Sequence, residues 1–472
     1  MLFNSYIFWC FFLGVIAAYR ISNHRWQNRM LLVASYIFYG AWNWRFLSLI
    51  VFSTAVNYTT ALGIAGTKSP KKKKLFLVLS ICTSLGLLGV FKYYGFFAGE
   101  LKQLFTYLGI PFLLPTVRIV LPVGISFYTF QAMSYTIDVY RGDTEVTRRP
   151  LDFALYVAFF PQLVAGPIER SSHLLPQVLN PRVHQPGDFA IGLYHVLMGL
   201  FKKIIIADNM AGVVNVVFTK ELSSLSGGEV LIGTYAFAFQ IYGDFSGYSS
   251  VARGISRWMG FRLMTNFNAP YLSVSPSDFW RRWHISLSSW LRDYLYISLG
   301  GNRKGKWSTY RNLMLTMLLG GLWHGAGWTF LAWGAFHGAI LCIYRASRPI
   351  RSDEPSTRPP IWKHWIAVFV MFQLACAGWL LFRADSMSQV WGMLYQLVTD
   401  MRFTEYSLFM LGMLGFFVVP LFAFEIWLDR KQDALALTKI HWLPRAMWYS
   451  YLVLMLWFFG PEVYHEFIYF QF

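Results

Sequence analysis

The sequence predicts an all-α, polytopic membrane protein with about 10–13 transmembrane or re-entrant helices, and three observations support that prediction. Hydrophobic residues make up 56% of the 472-residue chain, charged residues make up 14%, and the mean hydropathy is +0.42. Apolar runs long enough to enter a bilayer recur along the chain, and basic residues cluster in the short loops between them. A typical soluble domain has about 25% charged residues, so this composition excludes an ordinary globular fold in water.

The apolar runs give the order of the predicted helices. The first run, 8–19, has no basic residue ahead of it and no small-residue cleavage site before Arg20. We therefore expect it to remain as a span and not to be removed as a signal peptide. The later runs are 31–39, 75–90, 231–242, 312–344, 365–382 and 408–424.

The formal net charge of +18 is distributed in a way that predicts membrane topology. Basic clusters occupy the loops at 20–29, 67–74 and 141–149. This pattern follows the positive-inside rule and differs from a nucleic-acid-binding stripe, so we expect no nucleic-acid partner. We predict that the loops 20–29 and 67–74 are cytoplasmic, with the turn at 43–45 and the N-terminus outside.

Neither an internal repeat nor a low-complexity tract is evident, so we predict one membrane domain over 1–472. Residues 345–360 are rich in proline and charge and form a predicted polar linker. The segment 275–308 starts with Ser275 and Pro276, a pattern typical of a capped helix N-terminus. Its apolar residues recur at three- and four-residue steps, which predicts an amphipathic helix on the cytoplasmic side. These residues are Phe279, Trp283, Leu287, Trp290, Leu291 and Tyr294.

Two histidines, His324 and His337, lie in the run 312–344, which has no charged side chain. A straight helix of that length would measure roughly 50 Å, against a hydrocarbon core of about 30 Å. The glycine cluster at 320–327 therefore predicts a break beside His324. Irregular backbone at membrane depth is tolerated where it lines a cavity or is buried in protein, so we predict an internal chamber there. His337 is nearer to a charged residue in the sequence, and we expect His324 to be the deeper ring.

A buried neutral imidazole can act as a general base, because burial disfavours its charged form. No Asp or Glu occurs between Asp293 and Asp353, so a carboxylate partner for His324 would have to come from another part of the chain. The alternative is a structural histidine that bonds to a carbonyl at the break. His284, on the amphipathic helix, is a second candidate for which packing and function are both open.

The metal-binding and nucleotide-binding motifs that we examined do not fit. The four cysteines lie singly in apolar runs, with no C-x-x-C pair and no H-E-x-x-H motif, so we predict no metal site. The segment 300–307 is close to a phosphate-binding loop, but Trp307 stands where a Ser or Thr would reach magnesium.

Five long blocks resemble the membrane-bound O-acyltransferase family, most of all its bacterial alginate O-acetylation branch. The resemblance extends over nearly the whole chain. The blocks are LPVGISFYTFQAMSYTIDVYRG (121–142), FFPQLVAGPIER (159–170), DFWRRWHISLSSWLRDYLYISLGG (278–301), GGLWHGAGWTFLAWGAFHG (320–338) and WLLFRADS (379–386).

The resemblance implies a multi-pass O-acyltransferase of the bacterial cytoplasmic (inner) membrane, with its helices around a central chamber. It implies acetyl transfer from a cytosolic thioester, acetyl-CoA or an acyl carrier protein, to an exported polysaccharide such as alginate, cellulose or peptidoglycan. Transfer would be direct or through a periplasmic acetyltransferase-type partner. By the same resemblance, His324 matches the signature histidine of the family, and His284 matches a second, cytoplasm-side functional position.

Three arginines of the amphipathic segment, Arg281, Arg282 and Arg292, are predicted to contact the phosphate groups of the donor or its carrier. Guanidinium forks suit phosphate oxygens, although contact with membrane lipid headgroups is an alternative. Two other functions also stay open. They are D-alanyl transfer to teichoic acid and a non-enzymatic channel or transporter with His324 as a proton relay.

Overall fold

The computed structural model describes residues 1–111, 119–164, 166–347, 360–460 and 467–468. Helices dominate these ranges and no β-strand occurs within them, which confirms the all-α prediction.

The polar linker predicted at 345–360 lies mostly outside the described residues. The chain divides into two compact units, one of residues 1–193 and 252–264, the other of residues 194–251 and 265–472. The prediction of a single domain stays a prediction.

The first unit is built from the N-terminal helices. Its helices are α1 (Tyr6–Ile21), α2 (His24–Asn43), α3 (Leu47–Gly66), α4 (Pro70–Leu88), α5 (Tyr94–Tyr107), α6 (Ile125–Arg141), α7 (Pro150–Ala158), α8 (Phe160–Leu163) and α9 (Ser171–Leu179). A 3-10 turn at Trp44–Phe46 separates α2 from α3, at the place where the basic loops predict an outside turn. The side of the membrane on which it lies stays a prediction.

The second unit holds most of the later helices. α10 (Asp188–Leu200) and α12 (Gly227–Trp258) contain residues of both units. The others are α11 (Asn209–Thr219), α13 (Pro276–Arg282), α14 (Ile285–Trp290), α15 (Lys306–His324), α16 (Trp328–Ser347), α17 (Ile361–Arg383), α18 (Met387–Thr399), α19 (Glu405–Lys431), α20 (Ala436–Lys439) and α21 (Trp442–Phe458).

Six of the seven predicted apolar runs lie within helical segments, and the seventh, 312–344, covers parts of α15 and α16 and the break between them. Among the described residues, five helical segments are long and apolar enough to cross a bilayer. They are His24–Gly66, Pro70–Tyr107, Asp188–Thr219, Ile361–Arg383 and Glu405–Lys431. The first and longest of them contains two helices, α2 and α3. The exact number of spans and their arrangement around a chamber stay predictions.

Helix α1 illustrates how the apolar pattern becomes packing. The side chain of Ser5 caps the helix by accepting a hydrogen bond from the backbone N–H of Phe8. Phe8, Phe12, Val15 and Tyr19 recur at three- and four-residue steps, and all four are buried. This stripe faces the interior of the first unit and leaves the opposite side of the helix exposed.

One asparagine links three helices of the first unit. The side-chain oxygen of Asn57 on α3 accepts hydrogen bonds from Ser80 on α4 at 2.7 Å and from Thr136 on α6 at 3.0 Å. Its amide nitrogen donates to the Ser53 carbonyl at 2.9 Å and to the Ser84 hydroxyl at 3.4 Å. All of these side chains are buried, so Asn57 acts as an interhelical hydrogen-bond centre.

Two adjacent lysines of the second unit form separate ion pairs, one partly buried and one buried. They lie in the π-helical segment Phe201–Asp208, which follows α10. The ammonium of Lys202 contacts Glu425 at 2.7 Å, and that of Lys203 contacts both Asp208 and Asp244 at 2.8 Å. Because buried charges are costly unless they are paired, these contacts fix the packing of the helices around them.

The segment predicted to start with a capped helix does so, but it is not one continuous helix. The Ser275 hydroxyl caps α13 by accepting from the backbone N–H of Asp278 at 3.2 Å. The helix then ends at Arg282, and a new helix, α14, begins at Ile285. The prediction of a single amphipathic helix is therefore wrong at His284. Five of the six predicted apolar side chains are buried, and Tyr294 is half-buried.

The predicted break in the run 312–344 is confirmed, and it is a reversal of direction. α15 ends at His324, α16 begins at Trp328, and the two pack closely as a helical hairpin. A Cβ atom at Gly321 would collide with the Phe330 carbonyl, and one at Gly334 would collide with the Met317 carbonyl. Glycine at these two positions allows the helices to approach.

Candidate functional site

His284 lies between α13 and α14 in a left-handed backbone conformation, with φ 42° and ψ 53°. Such a conformation costs a residue with a side chain about 1–3 kcal/mol, so its surroundings must stabilise it. The backbone N–H of Ile285 donates to the Asn266 carbonyl at 2.9 Å. The backbone N–H of Asn268 donates to the Arg282 carbonyl, also at 2.9 Å. These two hydrogen bonds hold the chain on either side of His284.

The side chain of Asn266 sets the tautomer of the neutral His284 ring. Its oxygen Oδ1 accepts from the backbone N–H of Ser286 at 3.3 Å and from the Ser286 hydroxyl at 3.0 Å. Because a backbone N–H can only donate, the atom that faces it must be the amide oxygen. The same oxygen lies 3.1 Å from Nδ1 of His284. In a neutral ring Nδ1 therefore carries the proton, and the lone pair is on Nε2.

Burial keeps the His284 ring neutral. The ring is 0% exposed and packs edge-on against Phe245, with 4.6 Å between ring centroids. Residues 266–290 lie outside the segments that are long and apolar enough to cross a membrane. Burial lowers the pKa of His284 to about 3, so the ring carries no charge at neutral pH.

His324 is the last residue of α15 and lies close to His284. Its ring centroid is 5.0 Å from that of Trp333, 5.4 Å from that of Phe382 and 6.5 Å from that of His284. The side chain is 3% exposed. The structure thus brings together the two histidines that the sequence singled out, although they are far apart along the chain.

His337 is buried as fully as His324. It lies in the middle of α16, with its ring 4.7 Å from Trp333 and 5.2 Å from Trp280, and Nε2 rests against Gly378. His337 is 1% exposed and His324 is 3% exposed, so both rings are buried in the protein. Which of them lies deeper in the membrane stays a prediction. Tertiary contacts with aromatic rings bury the middle of α16 around His337.

A cavity of about 1050 Å³ extends between the buried histidine and a basic surface of the second unit. His324 and Trp333 line it, and both are buried. Exposed cationic side chains line the same cavity: Arg281, Arg292, Lys306 and Arg345. An anionic group at the exposed side would therefore place the rest of a long molecule near His324.

The three predicted arginines are not equivalent. Arg281 and Arg292 line the cavity, and their side chains are 73% and 65% exposed. Arg282 is outside the cavity lining and contacts Asp429 at 2.7 Å and Asp278 at 3.2 Å. Burial opposes its charge, but the two carboxylates outweigh that effect and raise the pKa of Arg282. Its contacts favour a role in holding α13 against α19.

Sequence reasoning missed several residues of this site. Asn266 lies outside the predicted amphipathic segment, and no local pattern connects it to His284. Lys306 and Arg345 could have been predicted from the sequence, because each flanks a run that contains His324. The sequence contains no pattern that predicts a contact between Trp333 and His324, because that contact depends on the hairpin.

Groups of three or more His, Cys, Asp or Glu side chains placed to hold a metal ion are absent from the part of the chain that the structure describes.

Comparisons with known proteins show the family to which the chain belongs. The sequence model of the MBOAT, membrane-bound O-acyltransferase family, matches residues 146–382. The chain is 47% identical over 398 residues to a probable alginate O-acetylase AlgI of Azotobacter vinelandii, covering 83% of this chain and 77% of the relative.

Two further relatives are named for different transfer reactions. The chain is 38% identical to a peptidoglycan O-acetyltransferase of Helicobacter pylori, covering 82% of this chain and 78% of the relative. It is 28% identical to a teichoic acid D-alanyltransferase of Bacillus subtilis, covering 55% of this chain and 68% of the relative.

Proposed function

The chain belongs to the membrane-bound O-acyltransferase family, and from that membership we propose that it acetylates an exported polysaccharide with an acyl thioester as donor. The observation that supports this best is a pair of buried histidine rings, 6.5 Å apart, one of which lines a cavity with an exposed cationic side. The acetyl-transferring relatives are more similar and match more of the chain than the D-alanyl-transferring one, which favours acetyl transfer.

The donor enters the cavity from its cationic side. Arg281, Arg292, Lys306 and Arg345 suit the phosphate groups of acetyl-CoA or of the prosthetic group of an acyl carrier protein. The thioester end then reaches the wall formed by His324 and Trp333. Arg282 does not belong to this donor-binding group. Its role is structural, because its guanidinium is paired with Asp429 and Asp278.

The histidines handle the proton of the acceptor hydroxyl. As a base, His324 takes that proton while the hydroxyl oxygen attacks the thioester carbonyl carbon and a new C–O bond forms. The C–S bond then breaks, and the departing thiolate takes the proton back from the ring. In an alternative sequence, His324 first accepts the acyl group and then passes it on. His284, neutral and with its lone pair on Nε2, positions or activates a reactant beside it.

The acceptor is a polysaccharide of the cell envelope, such as alginate, cellulose or peptidoglycan. We place the chain in the bacterial cytoplasmic membrane, among its lipids. Transfer is completed by this chain or by a periplasmic acetyltransferase-type partner. A channel with a histidine relay is disfavoured, because the family and the similar relatives carry acyltransferase names.

Mass spectrometry of envelope polysaccharides tests this function. Strains that carry the wild-type chain, the His324→Ala variant or no copy would be compared. We expect acetyl esters on one polysaccharide with the wild type and their loss in both other strains. D-alanyl esters in place of acetyl esters would favour the D-alanyl function, and identical polymers in the three strains would contradict ester transfer.

A further inference from the structure

The side chain of Asn266 is almost completely engaged. It is 1% exposed, and its oxygen faces three donor groups on His284 and Ser286. Its amide nitrogen donates to the hydroxyl of Ser249 at 3.2 Å. A side chain with contacts at both ends of its amide cannot flip without losing all of them. The orientation of its oxygen is therefore fixed before any ligand binds.

We propose that Asn266 is a positioning residue for acyl transfer, which acts by holding His284 in the tautomer that carries its lone pair on Nε2. This inference rests on the proposed function, in which His284 takes part in transfer. A neutral imidazole has one proton for two nitrogens. An acceptor fixed at Nδ1 keeps the proton there, and the lone pair of the neutral ring stays on Nε2.

The backbone at His284 supports a role in positioning. The left-handed conformation of this residue is held by the Ile285 hydrogen bond to the carbonyl of the same Asn266. One residue thus fixes both the main chain and the ring of His284. A structural cap of α14 would need only the contacts to Ser286.

The amide orients the ring without charging it. A carboxylate in the same place would lie about 3 Å from Nδ1 and would favour the imidazolium, in which neither nitrogen has a lone pair. Among the ring contacts of His284 within the described residues, His324 is titratable and lies 6.5 Å away between ring centroids. The rings of Phe245, Phe267 and Trp323 that pack on His284 do not titrate. The neutral amide therefore orients the ring without adding a charge beside Nδ1.

Two substitutions separate this role from a structural one. Asn266→Ala removes the acceptor, and we expect its kcat to fall at least tenfold at every pH while the KM for the donor changes less than twofold. Asn266→Asp keeps the shape but adds charge. Its rate should fall at least tenfold between pH 8 and pH 5.5, while the wild-type rate should change much less over that range.

The measurement is release of free thiol from acetyl-CoA by membranes that contain the full chain, with a membrane fraction lacking the chain subtracted. The matched controls are Asn57→Ala and Asn57→Asp. Asn57 is an equally buried amide that accepts from two hydroxyls, and no histidine is among its partners. Both control variants should retain the wild-type pH profile and kcat per folded molecule.

The outcomes separate the inference from the proposed function. A wild-type chain that releases no thiol above background, either from acetyl-CoA or from an acetylated carrier protein, counts against the function, and the inference falls with it. An active wild type with an Asn266→Ala variant of unchanged kcat overturns the positioning role alone. A pH–rate profile of Asn266→Asp that parallels the wild-type profile also overturns the positioning role. If the aspartate variant fails to accumulate in membranes, the alanine variant decides.

Discussion

Asn57 in the first unit and Asn266 in the second are both buried amides with several hydrogen bonds, but their partners differ. Asn57 joins three helices through hydroxyl and backbone groups. Asn266 joins a hydroxyl to an ionisable ring. The first arrangement can only hold helices together, whereas the second determines where a proton lies. The same type of side chain thus joins helices in one unit and orients an ionisable ring in the other, according to what it contacts.

The comparison extends to the charged and ionisable residues of the second unit. Those that line the cavity, such as His324 and Arg281, face space that a ligand can fill. Those that are engaged inside the protein, such as Lys203 and Arg282, are paired with carboxylates. Changing the cavity-lining residues should therefore lower activity, and changing the internally engaged residues should lower stability.

The largest expected effect is at the histidine pair. His324→Gln and His284→Gln should each lower kcat by about 100-fold or more, because general-base catalysis contributes about 10²–10⁴-fold. If the rings act as one unit, the double variant should be no slower than the slower single variant. Thiol release from acetyl-CoA at saturating donor measures these rates. Fully additive losses would show that the two rings act independently.

A smaller effect is expected at the exposed cations. Arg281→Glu and Arg292→Glu should raise the KM for a phosphorylated donor about tenfold, since each removes a charge-assisted contact of about 1.5–3 kcal/mol. The increase should shrink as salt is added. Arg402→Glu is a suitable control, because Arg402 is also exposed and is paired with Asp400 outside the cavity lining. An equal KM for all three variants and the wild type would leave lipid headgroups as the partners of Arg281 and Arg292.

A substitution of His337 tests the distinction between cavity-lining and internally engaged residues of the second unit. The ring is packed between Trp333 and Trp280 and is not part of the cavity lining. His337→Ala should lower the free energy of unfolding by roughly 2 kcal/mol through the cavity that it leaves, while the rate at 20 °C stays within about threefold of wild type. Thermal unfolding in detergent and thiol release measure the two quantities. A variant that is as stable as wild type but inactive would place His337 in the catalytic machinery.

The smallest effect on activity is expected at Asn57. Asn57→Ala should lower the free energy of unfolding by about 1 kcal/mol, a typical value for interhelical hydrogen bonds in membranes, and leave both kcat and KM unchanged. Thermal unfolding and the rate of thiol release are measured for Asn57→Ala and Asn266→Ala side by side. A loss of activity in folded Asn57→Ala protein would break the comparison between the two asparagines.

Much of the fold and part of the site follow from local sequence. The apolar runs predict the helices, since burial of a run in lipid or protein requires satisfied backbone groups. Ser275 predicts the start of α13, because its hydroxyl needs only the amide three residues ahead. The glycine cluster at 320–327 predicts the break beside His324. The long blocks of resemblance to the family single out His324 and His284.

Tertiary structure decided what those residues contact. The break at His284 depends on hydrogen bonds to Asn266, a residue outside the periodic pattern of the segment. Arg282 looks like its neighbour Arg281 in the sequence, yet Asp429 engages it and not its neighbour. His337 is buried because the hairpin and the aromatic rings of α13 close around it. Periodicity reports which face of a helix is apolar, but the partners on that face come from distant parts of the chain.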